Sequence, residues 1–458
     1  MASRDILPEF GPRAIPRRSF LRRSAGALAL APVVPVGQLA FLGGRDGADT
    51  EPTARPATDA GPRLTGQTAP QEAWVARARA EIPASTGSLY FQTGGIGPSP
   101  EAVIDHVRER LAFQNESPAE PRIATDMGRI EPDLRAQLGR VFGAEADEVA
   151  LTHSTSEGIS IVAWSLNWMP GDEVVISNTE HPANVIPWYV LRDRFGIVIR
   201  EIDLSTGTGL LDEVRGRLSD RTRMVSISHV SRNNGRTLRT DESAELGALL
   251  RSRGIRYHLD GAQGPGCVPT DFRALGCDCY STCGHKWLLG PKGTGALFVR
   301  REVLDDVRLS WAGSHSHATM DYEGAYTLLP SAARYEFGTR ALADFAGFAR
   351  AVEWMEDIGL VRVEERIQSL VDHAIEAVDG TDGLGVSSPR TRPDRSGVFV
   401  LELPEGCDAT QLYNDLREDD GILASPVRQP RDFRLSIHFF NTRDEIDAAI
   451  EAIAVRCG

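Results

Sequence analysis

The feature that most constrains the fold is a regular alternation, between about residues 148 and 300, of short apolar runs with longer stretches of mixed polarity. Turn or helix-capping residues bound each run, which is typical of buried strands. The stretches between are long enough for helices that connect parallel strands. The pattern predicts an α/β domain with a doubly wound, mostly parallel sheet, in which ligands bind beyond the carboxyl ends of the strands. The predicted strands are EVALT, DEVVIS, RMVSIS, IRYHLD and GALFVR.

After about residue 343 the pattern changes. A long amphipathic stretch with one glycine break predicts helices, and two later apolar runs predict strands. We therefore expect a smaller α+β domain over residues 346–458, beside a larger domain over residues 72–345 that includes the N-terminal segment. The segments concerned are AGFARAVEWMEDIGLVRVEERIQSLVDHAIEAV, GVFVLEL, DATQLYNDLRE, RLSIHFF and DEIDAAIEAIAVR.

The N-terminus resembles a twin-arginine export signal. The sequence PRRSFLRR is followed by a weakly apolar run to about residue 44. That run is about long enough to span a membrane, but Pro32 and Pro35 make it a poor helix and favour the signal. We expect residues 1–44 to direct export by the twin-arginine machinery to a periplasmic or other extracytoplasmic location, with a membrane tether if the signal is not cleaved. Residues 45–71, rich in Pro, Gly, Thr and Asp, predict a flexible linker.

Charge and residue counts narrow the functional classes. The formal net charge of −14 argues against nucleic-acid binding through a broad basic surface. Six cysteines in 458 residues are too few for a disulfide scaffold. Of the 50 basic residues, only Lys286 and Lys292 are lysines. This bias is either neutral drift or the sign of a lysine whose amine chemistry arginine cannot replace.

Polar residues follow several of the predicted strands. Thr155 and Ser156 lie where a helix begins, so they form either a plain helix cap or, with the free backbone N–H groups, an anion site. His181 is either a structural hydrogen-bonding residue or a ring that stacks on a planar cofactor. Asp260 ends an apolar strand, where it is either a turn residue or the partner of a protonated ring nitrogen. Gln263, three residues later, can donate a hydrogen bond to a neighbouring ring oxygen.

Lys286 follows His285 in a glycine-rich segment, GHKWLLGPKGTG, after the strand-like run CDCY. A lysine amine in a largely desolvated site has a lowered pKa and forms a Schiff base with a carbonyl. Lys292 lies between a proline and a glycine, which indicates a turn, and it is the weaker candidate for the nucleophile.

These motifs together resemble the class-V aminotransferase family of pyridoxal-phosphate enzymes, which includes cysteine desulfurases and isopenicillin N epimerases. The resemblance extends over about residues 90–455. It implies the fold type I, aspartate-aminotransferase-like architecture with a mostly parallel seven-stranded sheet, pyridoxal 5'-phosphate as cofactor, an amino-acid substrate and a homodimer. The motifs that carry it are EHPAN, DGAQ, GCDCYSTCGHKWLLGPKGTG and YEFGTR, in the family's order.

The resemblance also implies the roles of the cofactor-binding residues. Lys286 matches the lysine that forms the Schiff base with the cofactor, and Asp260 matches the partner of the pyridine nitrogen. Gln263 matches the hydrogen-bonding partner of the phenolic oxygen, and His181 matches the ring-stacking residue. The phosphate ligands correspond to Thr155, Ser156, His285 and Thr339, the last supplied from the partner subunit in family dimers.

The substrate side is implied in the same way. Arg434, in FRLSIHFFNT, matches the arginine that binds the substrate carboxylate, a bidentate geometry that suits a guanidinium. Gly94 and Gly95 lie in a segment, YFQTGGIGPSP, that resembles the family's substrate-side loop, where glycine permits close approach of the backbone.

Two positions depart from the family pattern. Cys283 stands where a phosphate-binding serine is common, so the phosphate contact would rest more on Thr282 or His285. The segment DDGILASPVRQPRDF, before Arg434, lacks the nucleophilic cysteine of desulfurases. The three cysteines of GCDCYSTCG fit no common zinc spacing, so we predict that they pack in the core and that the chain has no metal site.

Three functional hypotheses follow. The first is a pyridoxal-phosphate enzyme acting at Cα or Cβ of an amino acid, most like isopenicillin N epimerase because the desulfurase cysteine is missing, with Lys286 as acid or base for the Cα proton. A C–S lyase or cysteine desulfurase-like reaction and an aminotransferase reaction are alternatives, since fold and cofactor residues do not fix the reaction. The second is an exported binding protein of the same fold, against which the intact lysine argues. The third, a nucleotide-dependent dehydrogenase, lacks a G-x-G-x-x-G segment after its first strand.

Overall fold

The computed structural model describes residues 72–205 and 209–458. The predicted export signal and flexible linker therefore lie outside the described residues. Within the described ranges, no helix combines the length and the apolar character needed to cross a membrane.

The described part of the chain contains fourteen α-helices, together with five short 3₁₀ helices. The α-helices are α1 (Ala73–Ala80), α2 (Ala84–Gly87), α3 (Glu101–Glu116), α4 (Pro121–Met127), α5 (Ile130–Phe142), α6 (Thr155–Ala163), α7 (Ile186–Phe195), α8 (Leu210–Arg217), α9 (Thr240–Ser252), α10 (Phe272–Leu275), α11 (Leu342–Ile358), α12 (Leu360–Asp379), α13 (Ala409–Asp419) and α14 (Arg443–Cys457). The 3₁₀ helices are Ala146–Glu148, Pro182–Asn184, Arg301–Val303, Ala332–Tyr335 and Arg392–Asp394.

The same ranges contain fifteen strands, most of which are short. They are β1 (Leu89–Tyr90), β2 (Val149–Thr152), β3 (Glu173–Ser177), β4 (Val198–Ile202), β5 (Thr222–Ser228), β6 (Arg256–Asp260), β7 (Cys279–Cys283), β8 (Gly295–Val299), β9 (His317–Met320), β10 (Tyr326–Leu328), β11 (Gly385–Val386), β12 (Val398–Glu402), β13 (Ile422–Leu423), β14 (Ser425–Pro426) and β15 (Asp432–Ser436).

A seven-stranded sheet organises the first part of the chain, in the order β2-β8-β7-β6-β5-β3-β4. Strand β8 runs antiparallel to both of its neighbours, and the other pairs are parallel. The predicted α/β fold with a mostly parallel seven-stranded sheet is confirmed, and all five predicted strands are present. The edge strand β4 was not predicted, because four of its five residues are at least partly exposed and it lacks a buried apolar run.

The sheet is buried on both faces, which explains why its strands are almost continuously apolar. In β8, Ala296 and Phe298 pack on one face, where helices α5, α8, α9, α10 and α11 cover the sheet. Leu297 and Val299 alternate with them onto the opposite face, which α6 and α7 cover. The helix layers fix the strands rigidly, so the loops at the carboxyl ends of the parallel strands are held in a defined arrangement.

A four-stranded antiparallel sheet, in the order β11-β12-β15-β14, organises the C-terminal part. The long predicted helical stretch forms α11 and α12, which break at Gly359, where φ is 97°. Helix α12 packs on this sheet through residues at helical spacing, including Val363, Ile367, Leu370 and Val371. The predicted helices α13 and α14 and the predicted strands β12 and β15 are present as well.

The N-terminal segment joins the C-terminal part of the structure. Strand β1 pairs in parallel with β13, through Leu89 and Ile422. The chain then continues along β15, where Ser436 donates its backbone N–H to Phe91 O at 2.8 Å. The division into domains at residue 345 stays a prediction, but this pairing brings residues 91–97 against β15 and the loop that follows β7.

Candidate active site

Five predicted or adjacent polar residues converge at one edge of the seven-stranded sheet. Strands β2, β3, β5, β6 and β7 run in the same direction, so their carboxyl ends meet at that edge. Thr155 follows β2, His181 follows β3, Arg232 follows β5, Asp260 ends β6 and Lys286 follows β7. Four of these five were predicted as site residues from the sequence.

Asp260 and Lys286 carry opposite charges within the site. Asp260 is 3% exposed and accepts a backbone hydrogen bond from Ala262 N at 2.9 Å. Burial raises the pKa of Asp260, against this hydrogen bond and the charge of Lys286. Burial lowers the pKa of Lys286, while Cys283 and Asp260 raise it and Arg434 and Arg232 lower it. Loss of hydration thus brings the lysine towards its nucleophilic, neutral form.

His181 is held as a neutral ring. It precedes the 3₁₀ helix Pro182–Asn184, and its Nδ1 accepts the backbone N–H of Ala183 at 3.0 Å. Burial lowers the pKa of His181 to about 3, with further lowering by the cations Lys286, Arg232 and Arg434. The ring is therefore uncharged at neutral pH, which suits stacking on a flat partner and excludes proton donation by an imidazolium.

Two of the predicted phosphate ligands, Thr155 and Ser156, lie in the first turn of α6. Ser154 caps this helix by accepting the backbone N–H of Glu157 at 3.3 Å, and Thr155 is its first residue. Thr155 is buried and Ser156 is exposed. Thr282 donates its hydroxyl hydrogen bond to Gly261 O at 3.1 Å, so its side chain is already used. Thr282 and His285 were the two residues predicted to bind the phosphate in place of the serine that Cys283 replaces. Only His285 has a side-chain atom, Nδ1, without a hydrogen-bond partner.

Gln263 is fixed by hydrogen bonds from two directions. Its Nε2 donates to Gly94 O at 2.9 Å, and its Oε1 accepts from Trp287 Nε1 at 2.6 Å. One hydrogen of the Nε2 group remains, which is the donor that a ring oxygen would need. The indole of Trp287 stacks on His438, whose Nε2 lies 3.0 Å from Trp287 O, so the support of Gln263 reaches into the C-terminal part of the chain.

Arg434 approaches the site from β15. It is 3% exposed, and one terminal nitrogen donates to Gln92 Oε1 at 2.9 Å. Burial, followed by the charge of Arg232, lowers the pKa of Arg434 to about 9. Gln92 in turn donates to Ala424 O at 2.6 Å. The guanidinium is thus held in place on one side only, which leaves its other donors for an anion.

The N-terminal loop lies directly on the lysine segment. Gly95 closes a tight turn, with its N–H donating to Gln92 O at 2.8 Å. Gly97 donates to His285 O at 2.7 Å, and a Cβ at Gly97 would lie 2.0 Å from Lys286 O. The predicted close backbone approach is present, and its tightest position is Gly97 rather than Gly95.

Unpartnered buried polar atoms test whether these residues fit the expected cofactor. Within the described ranges, several buried polar atoms of the site have no hydrogen-bond partner. Buried groups of this kind are rare unless a ligand satisfies them. One set lies at the N-terminus of α6, where a phosphate would bind, and the other lies on the substrate side, so the residues fit a phosphorylated cofactor and an anionic substrate. The atoms are Thr155 Oγ1, His285 Nδ1, Thr93 Oγ1, Arg434 Nε and Ser436 Oγ.

Thr339, Cys277 and Cys279 lie away from this convergence, whereas Cys283 lies within it, with its Sγ 3.9 Å from Ala262 O. Thr339 is exposed, in the loop between the 3₁₀ helix Ala332–Tyr335 and α11, so its assignment to a partner subunit's site stays a prediction. Cys277 and Cys279 are buried on opposite faces of the sheet and do not converge. Cys407 and Cys457 form a disulfide that was not predicted.

Sequence reasoning missed Glu180 and Arg232 as residues of the site. Glu180 precedes His181 and is buried among donors from Ser177, Asn184 and Ser228. Both missed residues follow predicted strands, so the rule that ligands bind beyond the carboxyl ends of strands could have found them.

Comparison with known proteins identifies the family. The aminotransferase class-V family model matches residues 89–448. The chain belongs to this family. The chain is 30% identical to the cysteine desulfurase of Klebsiella pneumoniae (strain 342), over 83% of this chain and 97% of that protein. It is 29% identical to the isopenicillin N epimerase of Streptomyces clavuligerus, over 80% of this chain and 94% of that protein.

Solved structures confirm the class-V fold. The cystine C–S lyase C-DES, in complex with its product cysteine persulfide, matches with a TM-score of 0.77 at 24% sequence identity, over 82% of this chain and 100% of that chain. Membership of the aminotransferase class-V family makes the protein an enzyme with pyridoxal 5'-phosphate as its cofactor. Lys286, Asp260, His181 and the residues at the N-terminus of α6 are the groups that fit it.

Proposed function

We propose that this class-V enzyme transfers a proton at Cα of an α-amino acid, as in isopenicillin N epimerase-type reactions. The observation that carries the proposal is the convergence of Lys286, Asp260 and Arg434 at one sheet edge. The four free cysteines, Cys267, Cys277, Cys279 and Cys283, are all buried. Within the described ranges there is therefore no exposed thiol to accept sulfur, which disfavours the route of a desulfurase.

Each residue of the site has a task that follows from its geometry. When bound, pyridoxal phosphate supplies an electron sink that weakens the bonds at Cα. Arg434 binds the α-carboxylate through the donors that Gln92 leaves free. Asp260 would keep the ring nitrogen of the bound cofactor protonated, and neutral His181 would provide a flat, uncharged surface for the ring. Lys286 Nζ, with its lowered pKa, takes and returns the Cα proton.

Cleavage of a C–S bond is the second candidate. It is supported by the cysteine desulfurase named among the relatives, since elimination at Cβ begins with removal of the same Cα proton. In this chain the sulfur product would leave the site rather than pass to a protein thiol. Transamination needs the same first step and is a further outcome of the test.

The test combines covalent trapping with isotope exchange. After borohydride reduction of the holoenzyme, peptide mass spectrometry should find a pyridoxyl group on Lys286. Incubation with single amino acids in deuterated water should then give deuterium at Cα with no net loss of substrate. Keto acid would instead indicate transamination, and pyruvate with sulfide or persulfide would indicate C–S cleavage.

A matched pair of lysine variants provides the control. Lys286→Ala should abolish trapping and lower Cα exchange by at least about 100-fold, the usual contribution of a general base. Lys292 is exposed, and Lys292→Ala should leave both unchanged. A holoenzyme that exchanges Cα protons equally well without Lys286 would contradict the proposal.

We also propose that the enzyme is a homodimer in which Thr339 completes the partner's phosphate site. The support is the exposure of Thr339, next to Arg340, whose side chain is paired with Glu131 and Glu336. Glu336 also accepts the backbone N–H of Leu151 at 2.8 Å, so this loop is anchored to β2. The exposed hydroxyl of Thr339 therefore lies in a loop whose neighbouring side chains are fixed by ion pairs and a hydrogen bond.

We propose that the protein is exported by the twin-arginine route. The proposal rests on the sequence PRRSFLRR and is supported by the disulfide Cys407–Cys457, since disulfides persist in oxidising compartments. Cell fractionation with and without a functional twin-arginine translocase tests it. Retention of the Arg17→Lys, Arg18→Lys variant in the cytoplasm supports export, and unchanged export of that variant would contradict it.

A further inference from the structure

Arg232 lies in a loop that its neighbours hold in place. The loop follows β5, and Ser231 accepts the backbone N–H of Gly235 at 2.9 Å. Asn233 Nδ2 donates to Thr179 O at 2.9 Å, which ties the loop to the segment that carries His181. These contacts fix the backbone on both sides of Arg232 without using its side chain.

The Arg232 guanidinium is a partly buried cation without an acidic partner. Burial lowers its pKa, and within the described ranges no carboxylate forms an ion pair with it. The next arginine of the loop, Arg236, is by contrast paired with Glu242 at 3.5 Å. A desolvated charge with no partner is costly, and such groups are retained where a ligand supplies the opposite charge.

The position of Arg232 is on the substrate side of the site. The loop of Arg232 contacts the C-terminal sheet, because Ser388 Oγ donates to Asn234 O at 2.8 Å. Strand β15 of that sheet carries Arg434, and the charge of Arg232 also lowers the pKa of Arg434. Arg434 is the other cation on the substrate side, and in the proposed function it binds the α-carboxylate. The predicted phosphate ligands Thr155 and Ser156, by contrast, lie in the first turn of α6.

In the proposed reaction, each charged group of the cofactor and of a neutral amino acid is matched by a residue other than Arg232. The N-terminus of α6, with Thr155 and His285, would bind the cofactor phosphate. Asp260 would pair with the ring nitrogen, Lys286 would hold the cofactor, and Arg434 would bind the α-carboxylate. A neutral amino acid would leave Arg232 desolvated and unpaired, whereas a second anionic group on the substrate would neutralise it.

We propose that Arg232 selects amino acids whose side chain ends in an acidic oxo group, a carboxylate or a sulfinate, at about the chain length of aspartate or glutamate. This inference rests on the proposed function and names its substrate class. Because the loop of Arg232 packs on the sheet that carries Arg434, we place the two anionic groups on one short molecule. The planar donors of a guanidinium can bind a carboxylate or a sulfinate equally well, so experiment must distinguish these two side-chain acids.

The experiment measures Cα–H exchange of the holoenzyme in deuterated water by NMR, as kcat/KM. L-Aspartate, L-glutamate and L-cysteine sulfinate are compared with their neutral counterparts L-asparagine, L-glutamine and L-serine. The wild type should prefer the acidic members, and the preferred acid identifies the carboxylate or the sulfinate. Arg232→Gln should lower kcat/KM for that acid by about 100-fold and change the neutral counterpart by less than about 3-fold.

Two further variants separate recognition from a structural effect. Arg232→Lys keeps the charge and should restore part of the preference. Arg236→Gln lies in the same loop, and it should leave the ratio of acidic to neutral substrates unchanged. An equal loss for acidic and neutral substrates in Arg232→Gln, or a wild type that does not distinguish them, would overturn the inference.

A binding measurement keeps this result separate from the proposed reaction. Calorimetry should show that succinate or glutarate binds the holoenzyme at least about 10-fold more tightly than butyrate, and that Arg232→Gln removes the difference. If no amino acid exchanges its Cα proton, the proposed reaction fails, but this comparison still decides whether Arg232 binds a second acid. Equal affinities for mono- and dicarboxylates would contradict it.

Discussion

At the scale of single residues, Glu180 has the least expected environment in the site. It is 5% exposed, and it accepts hydrogen bonds from Ser228 N at 3.0 Å and from Ser228 Oγ at 2.7 Å. Asn184 Nδ2 donates to it as well, at 2.8 Å. Burial, despite these donors and with help from the nearby charge of Asp260, raises the pKa of Glu180 to about 7. Glu180 therefore links the ends of β3 and β5, and its carboxyl group gains or loses a proton near neutral pH.

The raised pKa of Glu180 predicts that the free energy of unfolding falls as the pH rises. The folded protein holds a proton on Glu180 up to about pH 7, whereas the unfolded chain releases it near its ordinary pKa of 4.5. Stability from this group is therefore complete at low pH and lost as the pH rises from about 4.5 through about 7, by up to about 3 kcal/mol. Relative to Glu180→Gln, the free energy of unfolding of the wild type should fall over this range. Urea titrations at several pH values measure the difference.

Glu173 provides a control of opposite sign. Burial raises its pKa, but hydrogen bonds from Arg200 and Ser219 outweigh this and the net shift is downward. Stability from Glu173 is therefore lost as the pH falls, so the wild type should lose stability relative to Glu173→Gln in acid. A pH-independent difference between the wild type and Glu180→Gln would show that Glu180 has an ordinary pKa.

At the scale of elements, the strands of the large sheet were predictable because both of their faces are buried. EVALT and GALFVR each contain an uninterrupted apolar run and correspond to the buried strands β2 and β8. Strand β4 escaped prediction because its exposed edge carries charged residues, such as Arg200 and Glu201. Pairing of two-residue strands such as β1 and β13 depends on contacts distant in sequence, which periodicity does not record.

The loop over residues 91–97 is the element whose packing is most sensitive to substitution. Gly97→Ala would place its Cβ 2.0 Å from Lys286 O and disturb the 2.7 Å hydrogen bond to His285 O. Overpacking against backbone costs about 1–3 kcal/mol, and here the loop must move away from the lysine. We expect a loss of stability of that size and at least a 10-fold lower rate of Cα exchange. Thermal unfolding and the exchange assay measure the two effects.

Gly87→Ala is the matched control for the loop variant. Gly87 ends α2 in the same N-terminal segment, and a Cβ there would have no heavy atom within 4 Å. This variant should keep wild-type stability and activity. If Gly97→Ala is equally silent, the loop does not rest on the lysine segment as the structure has it.

At the scale of the whole molecule, the site is assembled from three distant parts of the chain. Gln92 comes from the N-terminal segment, Asp260 and Lys286 from the large sheet, and Arg434 from the C-terminal sheet. Asp260, Lys286 and Arg434 were predicted as site residues from the motifs around them, and Gln92 lies within the motif YFQTGGIGPSP. Strand ends and glycine-rich loops can be recognised in a sequence, which is why these motifs were found. The pairing of Arg434 with Gln92, and the unpaired state of Arg232, depend on the folded arrangement and leave no such signal.

The proposed homodimer gives a prediction at the same scale. Sedimentation equilibrium of the full-length chain should give about twice its mass of 49.9 kDa. Thr339→Val removes one hydrogen bond from a hydroxyl to the anionic cofactor phosphate, worth about 1.5–3 kcal/mol, so the apparent Kd for pyridoxal phosphate should rise by at least about 10-fold. The variant should remain dimeric, because the hydroxyl and not the fold is changed. Thr327→Val, at an exposed position of β10, is a control that should leave the cofactor affinity unchanged. A monomer that binds the cofactor with full affinity, or a Thr339→Val variant indistinguishable from the wild type, would refute the shared site.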